Sequence, residues 1–207
     1  MLSLVFALAA QAADGGDAGL YAPEPPPGSA FVRVINGSPT AVTPKIGGQA
    51  AASVSSGAAS PYVVVPGGSV EVDAGGSRSS VAAPAGSFVT VAVGASGKAG
   101  LLAMTDTPST NRAKAQVVLY NLSSKPGVDL QTADGTVVVL TDVPAGAEAG
   151  RELNGLTVTF AVQGPSAPIG TLAPVTLVRG QAYSVIVREN GGQLSASWVE
   201  NRTSAPR

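Results

Sequence analysis

Only lysine, serine, threonine, tyrosine and carboxylate side chains are left to carry acid–base or nucleophilic chemistry here, because the sequence has no histidine and no cysteine. That removes the commonest general base, the Ser-His-Asp relay, thiolate nucleophiles, disulfides and most zinc or iron sites. A Lys/Ser dyad or a carboxylate pair remains chemically possible, but nothing in the order of residues clusters one. Glu71 and Asp73 share the outer face of one alternating strand. Two exposed acids in that position solubilise a strand, and no neighbour in the sequence is placed to tune them. Gly94-Ala95-Ser96-Gly97-Lys98 imitates a phosphate loop. Ala92 stands where its first glycine belongs, Ala99 replaces the closing Ser/Thr, and no helix follows, so it reads as a hairpin turn. Asp14–Gly19 lacks the ordered oxygens and closing Glu of a calcium loop. Asn36, Asn121 and Asn201 head formal glycosylation sequons, which carry no meaning in a bacterial host. No enzyme, metal or cofactor is expected.

Binding residues are easier to nominate. Leu20, Tyr21 and Pro23 open a Pro-rich arm, Pro23-Glu24-Pro25-Pro26-Pro27, that fixed φ angles keep extended. The plainer reading has Leu20 and Tyr21 capping the open end of a core. Phe31, Phe88, Phe160 and Tyr183 fall in expected strands and read as core. Tyr120 and Trp198 are the aromatics left to face solvent, although a Trp near a closing strand also serves as a plug. Arg179 precedes a glycine and fits either a turn or a ligand. It belongs with Lys114, Lys125, Arg151, Arg188 and Arg202 to a cationic set that would suit a polyanion.

The elements that must hold these residues are short strands. Hydrophobic residues make up 44% of 207, mostly Ala and Val, while 26 Gly and 16 Pro punctuate them, the pattern of an all-β chain. With 12 basic and 13 acidic residues there is no field to hold nucleic acid. Ser69–Asp73 alternates with period 2, turning Val70 and Val72 inward. Phe88–Val93, Tyr62–Val65 before the Pro66-Gly67-Gly68 turn, and Leu101–Met104 read likewise. Later, Val128–Gln131 and Val137–Leu140 form a hairpin across Thr132–Thr136. Leu156–Val162 alternates, with Leu156, Val158, Phe160 and Val162 on one face. Residues 47–61, rich in Ala, Ser and Gly, read as a loop or loose edge.

Val32, Val34, Asn36 and Ser38 are answered eighty-five residues later by Val117, Leu119, Asn121 and Ser123. A fixed-offset echo marks an internal duplication. The expected fold is therefore all-β: two small antiparallel β-sandwich domains in tandem, preceded by a signal peptide and Pro-rich lead. The expected bounds are a signal peptide over 1–12, a linker and arm over 13–29, a first module over 30–106, a linker over 107–114, a second module over 115–200 and a polar tail over 201–207. Leu2–Ala10 supplies the apolar core of the signal and Ala10-Gln11-Ala12 its cleavage site. Its missing positive end is what a start placed downstream of the true one would leave. The run is too short to span a membrane, so no membrane span is expected.

Leu20-Tyr21-x-Pro23-x-x-Pro26-x-Gly28-Ser29-x-Phe31-Val32-Arg33-Val34-x-Asn36 resembles the start of the mature AlgF proteins of alginate O-acetylation. Val118-x-x-Asn121-Leu122-Ser123, Gln131-Thr132-Ala133-Asp134-Gly135 and Leu172-Ala173-Pro174-Val175-x-Leu177-x-Arg179-Gly180-Gln181-Ala182 continue the resemblance in the same order over the mature chain. It implies a periplasmic accessory protein that docks membrane and periplasmic polysaccharide O-acetyltransferases without being a catalyst itself. The missing histidine agrees with that. The rival expectation is a tandem carbohydrate-binding or envelope-interaction sandwich protein that holds the alginate polymer directly.

Overall fold

Ala30 to Asn36 and Val117 to Leu122 are apolar on both alternating faces, apart from Arg33 and the two asparagines, and strands of that kind need cover on both sides. The computed structural model, which describes residues 24–204, supplies it with an all-strand architecture. The first half runs β1 (Ser29–Asn36), β2 (Lys45–Ile46), β3 (Gln49–Ala50), β4 (Val63–Pro66), β5 (Gly68–Ala74), β6 (Ser77–Ala83), β7 (Phe88–Val93) and β8 (Leu101–Asp106). The second runs β9 (Ala115–Asn121), β10 (Val128–Thr132), β11 (Val138–Val143), β12 (Glu148–Leu153), β13 (Thr157–Val158), β14 (Phe160–Gln163), β15 (Pro168–Thr171), β16 (Val175–Thr176), β17 (Ala182–Asn190) and β18 (Gln193–Glu200).

Each half is a sandwich, and the two repeat one topology. The sheet β4-β1-β7-β8 is matched by β12-β9-β17-β18, and β3-β2-β5-β6 by β11-β10-β14-β15, with the small pair β13-β16 added in the second half. Pairing is antiparallel except at the centre of each inner sheet, where β1 lies parallel to β7 and β9 to β17. One core holds Val32, Val34, Ile46, Val72 and Val91, and the other Leu119, Leu130, Phe160, Val162 and Val185. The opposite faces of the two inner sheets meet each other. Ile35, Ala92, Tyr120, Leu122 and Ile186 are fully buried in this third cluster, the seam. Burying Ile35, Leu122 and Ile186 contributes about 1.5–3 kcal/mol each, which opposes hinge opening between the halves.

Several expectations need correcting. Leu156 is 46% exposed and does not share the inward face of Phe160 and Val162. The expected strand breaks at Thr159, whose carbonyl accepts from Ala133 N; β13 pairs with β16, whereas β14 pairs with β10 and β15. Residues 47–61 are not only a loose edge. Gly57 is buried in the seam at φ +72°, and a Cβ there would lie 2.6 Å from Ser197 Oγ, so the close approach requires glycine. Phe31 and Phe88 are half-buried at the seam's edge rather than in a core; they stack on each other at 4.3 Å and 6°. The residues after β18 also do more than trail. Arg202 O accepts from Tyr62 N and Ser204 N donates to Tyr62 O, tying the chain end to the first sandwich. The expected signal peptide and the first part of the arm lie outside the described residues.

Candidate functional site

Alternation along β1 turns Val32 and Val34 into the first core and therefore turns Arg33 into the seam, where it is fully buried. A buried guanidinium requires partners for its donors. Nε donates to Thr90 Oγ1 at 2.8 Å, Nη1 to Asn201 Oδ1 at 2.8 Å, and Nη2 to both Tyr120 Oη and Ser184 Oγ at 2.9 Å. The group also lies over the Tyr62 ring at 4.5 Å and the Tyr120 ring at 5.4 Å, where the negative ring faces attract it. β1, β7, β9, β17 and the segment after β18 each supply one member, so both halves of the chain build the site.

The counter-charge is Asp106 at the end of β8, one hydroxyl away from the arginine. Thr90 Oγ1 donates to Asp106 Oδ2 at 2.6 Å, Tyr62 Oη donates to the same oxygen at 2.9 Å, and Tyr120 Oη donates to Oδ1. Burial, with Asp106 adding to it, pushes the Tyr62 hydroxyl up to about 12 and that of Tyr120 further up, despite the opposing pull of Arg33. Both phenols therefore stay protonated as donors and neither is a base at neutral pH. The arrangement can neutralise, orient and lock. A cleft of about 230 Å³ opens beside it, lined by Tyr62, Phe88, Asp106, Gln116 and Arg202 among others.

Glu148, opposite Tyr120 in the register of β12 and β9, has its carboxyl pushed above the usual range by partial burial and then by Asp106. A raised carboxyl disfavours the folded state wherever it is ionised. That penalty is full above the folded pKa and disappears below the unfolded one. Glu148→Gln is expected to stabilise the chain at pH 7–8 by less than ~1 kcal/mol, since the group is half solvated, and to be neutral near pH 3. Urea midpoints of both proteins across that range check the sign.

The nominated residues scatter. Tyr120, expected to face solvent, is fully buried against Arg33, so it is not a surface contact. Trp198 is half-buried, packs edge-on against Tyr183 at 6.2 Å and donates from Nε1 to Ala173 O. Arg179 is exposed beside Val178. Leu20, Tyr21 and Pro23 lie outside the described residues. Glu71 and Asp73 are not alone: Arg78 of β6 reaches them at 3.7 and 3.0 Å, an exposed pairing worth little. Gly94 sits in the β7–β8 turn at φ +68°. Asn36 and Asn121 are buried and cannot carry a glycan. Sequence reasoning missed Arg33, Thr90, Asp106, Ser184 and Asn201. Their one readable trace was a charge inside the apolar run Phe31–Ile35. Among the described residues no helix is long and apolar enough to cross a membrane.

Comparison with known proteins finds relatives over most of the chain. The family model described as alginate O-acetyl transferase AlgF matches residues 2–184. The alginate biosynthesis protein AlgF of Pseudomonas fluorescens is 34% identical over 91% of this chain and 86% of its own length. That of Pseudomonas aeruginosa is 32% identical over 98% and 93%. The solved C-terminal domain of AlgF from P. aeruginosa is 38% identical, covering 42% of this chain and 98% of the domain, with a TM-score of 0.39.

Proposed function

We propose, since the chain belongs to the AlgF family, that it is a non-catalytic periplasmic accessory protein for O-acetylation of a bacterial exopolysaccharide, alginate in the first place, and that it docks the acyltransferases. The observation that carries the accessory reading is the closure of the seam. The donors of Arg33 and the oxygens of Asp106 are engaged with one another through Thr90 and Tyr120, in a chain with neither His nor Cys. Such a cluster holds two sandwiches in one relation and leaves no activated nucleophile for acyl transfer. The family description names a transferase; on this reading the chain serves that reaction and the acyl group never resides on it.

Docking falls to the outer surface. Val178 is 51% exposed, Leu156 46%, and Leu177 N donates to Leu156 O, which brings the two segments together beside Arg179. Two sandwiches on one chain, each holding a partner, would raise the effective concentration of one transferase near the other. The half-exposed Phe31–Phe88 stack beside the seam cleft, with Arg202 in the lining, favours one second reading, direct contact with the polymer.

The test is ester-linked acetate on the exopolysaccharide of the producing strain with and without the gene. Acetate is expected to fall to background while uronate yield holds, and to return with the gene. Unchanged acetylation removes the accessory role. Pull-down of the transferases against co-sedimentation with polymer then separates the two readings.

A further inference from the structure

Three Asn–Gly pairs stand in the sequence, at Asn36-Gly37, Asn154-Gly155 and Asn190-Gly191. In such a pair the backbone nitrogen of the glycine can attack the asparagine side-chain carbonyl, because no Cβ obstructs the approach. The fold treats the three differently. Asn36 is buried with its amide held by four hydrogen bonds, and Gly37 N donates to Val93 O. Asn190 pairs with Gln193 across a two-residue hairpin turn, and the ladder opposes the rotation that would swing Gly191 N onto Asn190 Cγ. Asn154 lies one residue past the last ladder pair of β12, Leu153 with Ala115. It is exposed, and neither its Nδ2 nor Gly155 N has a hydrogen-bond partner among the described residues.

Continuing the β12–β9 register sets Lys114 opposite Asn154, and Lys114 Nζ donates to Asn154 Oδ1 at 2.7 Å. An ammonium carries donors only, so it is the carbonyl oxygen that faces it. That contact draws electron density from Cγ and stabilises the oxyanion formed on attack. We infer that Asn154 is a site of self-catalysed deamidation, with Lys114 as the assisting group. Gly155 N loses its proton to solvent and bonds to Asn154 Cγ. The Cγ–Nδ2 bond breaks, Nδ2 takes a proton and leaves as ammonia, and a succinimide remains. Water then opens either ring carbonyl, giving aspartate or isoaspartate. Aspartate offers Lys114 an ion pair, whereas isoaspartate lengthens the backbone by one methylene just before the exposed Leu156. This inference stands apart from the acetylation role.

The test incubates the folded full chain at mildly alkaline pH and follows it by tryptic peptide mass spectrometry. Cleavage at Arg33, Lys45, Arg151, Arg179, Arg188 and Arg202 puts the three pairs on separate peptides. Deamidation is read as the mass change from amide to acid and as a split into aspartate and isoaspartate forms. The Asn154 peptide is expected to convert first, that of Asn190 more slowly and that of Asn36 last. Lys114→Met is expected to slow conversion at Asn154 on the order of threefold, the rate equivalent of an exposed charged contact, and to leave Asn190 unchanged. In denaturing urea the three pairs are expected to convert at similar rates, with no effect of Lys114→Met. Faster conversion at Asn190 or Asn36 than at Asn154 in the folded chain overturns the inference. So does an unchanged Asn154 rate in folded Lys114→Met, and so does a slowing in that variant that persists in urea.

Discussion

Replacing Arg33 with alanine is expected to lower the stability of the full chain by roughly 3–5 kcal/mol, a loss typical of taking the charged member out of a buried polar network. The substitution removes four hydrogen bonds that span both halves of the chain. It leaves the Asp106 carboxylate without its cation and opens space between the rings of Tyr62 and Tyr120. For a chain of this length the corresponding fall in Tm is on the order of 10 °C. Arg33→Met is expected to cost less than Arg33→Ala. It refills the volume, and Thr90 and Ser184 keep Asp106 and Asn201 as acceptors, so only the charge goes unanswered.

Trp198, the only tryptophan, makes the experiment more discriminating. It packs on the second core, so its fluorescence follows that half, while far-UV circular dichroism follows both. If the seam couples the sandwiches, the two signals fall together in urea for the wild type, as two-state unfolding requires. In Arg33→Ala they are expected to separate. Coincident and unshifted curves in the variant would mean that the network contributes nothing to holding the halves in register.

What could be read in advance follows from how far apart the interacting residues lie. Val70 and Val72 could be placed inward from their own neighbours, because a strand's period is local, and both are buried. The duplication could be read because Asn36 and Asn121 repeat with their flanking residues. The seam could not. Arg33, Ser184 and Asn201 meet only because two sheets, each already covered on one side by its own sandwich, cover each other on the second. A period-2 pattern names two faces for β9 without saying that both are buried, so Tyr120 could be assigned to solvent. The break at Thr159 was equally silent, since no Gly or Pro marks it. There the chain changes partners: Thr159 O still accepts from Ala133 N of the β10–β11 hairpin, while Val158 pairs with Val175 of β16.

The repeated asparagines allow the second large effect to be stated as a pair. Asn121 Nδ2 donates to Lys125 O at 2.8 Å and Val143 O at 3.0 Å, while its Oδ1 accepts from Ser123 N and Oγ. Asn36 Nδ2 donates to Thr40 O at 2.8 Å and Val54 O at 2.9 Å, and its Oδ1 accepts from Ser38 N and Oγ. Even the backbone repeats, with Asn36 O accepting from Gly57 N and Asn121 O from Gly146 N. In each half one buried side chain closes a turn and pins a distant loop to the end of a central strand. Alanine removes the donors and leaves buried carbonyls without them, at about 1–3 kcal/mol per orphaned group. Asn36→Ala and Asn121→Ala are each expected to cost about 2–4 kcal/mol in urea unfolding, and to agree within ~1 kcal/mol. Asp at either position is expected to be no better, because it sets an oxygen against two carbonyl oxygens. Serine to alanine at Ser38 or Ser123 should cost less, about 1 kcal/mol, since the asparagine keeps its carbonyls. A large loss at one asparagine and none at the other would show that the two turns, though alike in geometry, do not play the same part in holding their sandwiches together.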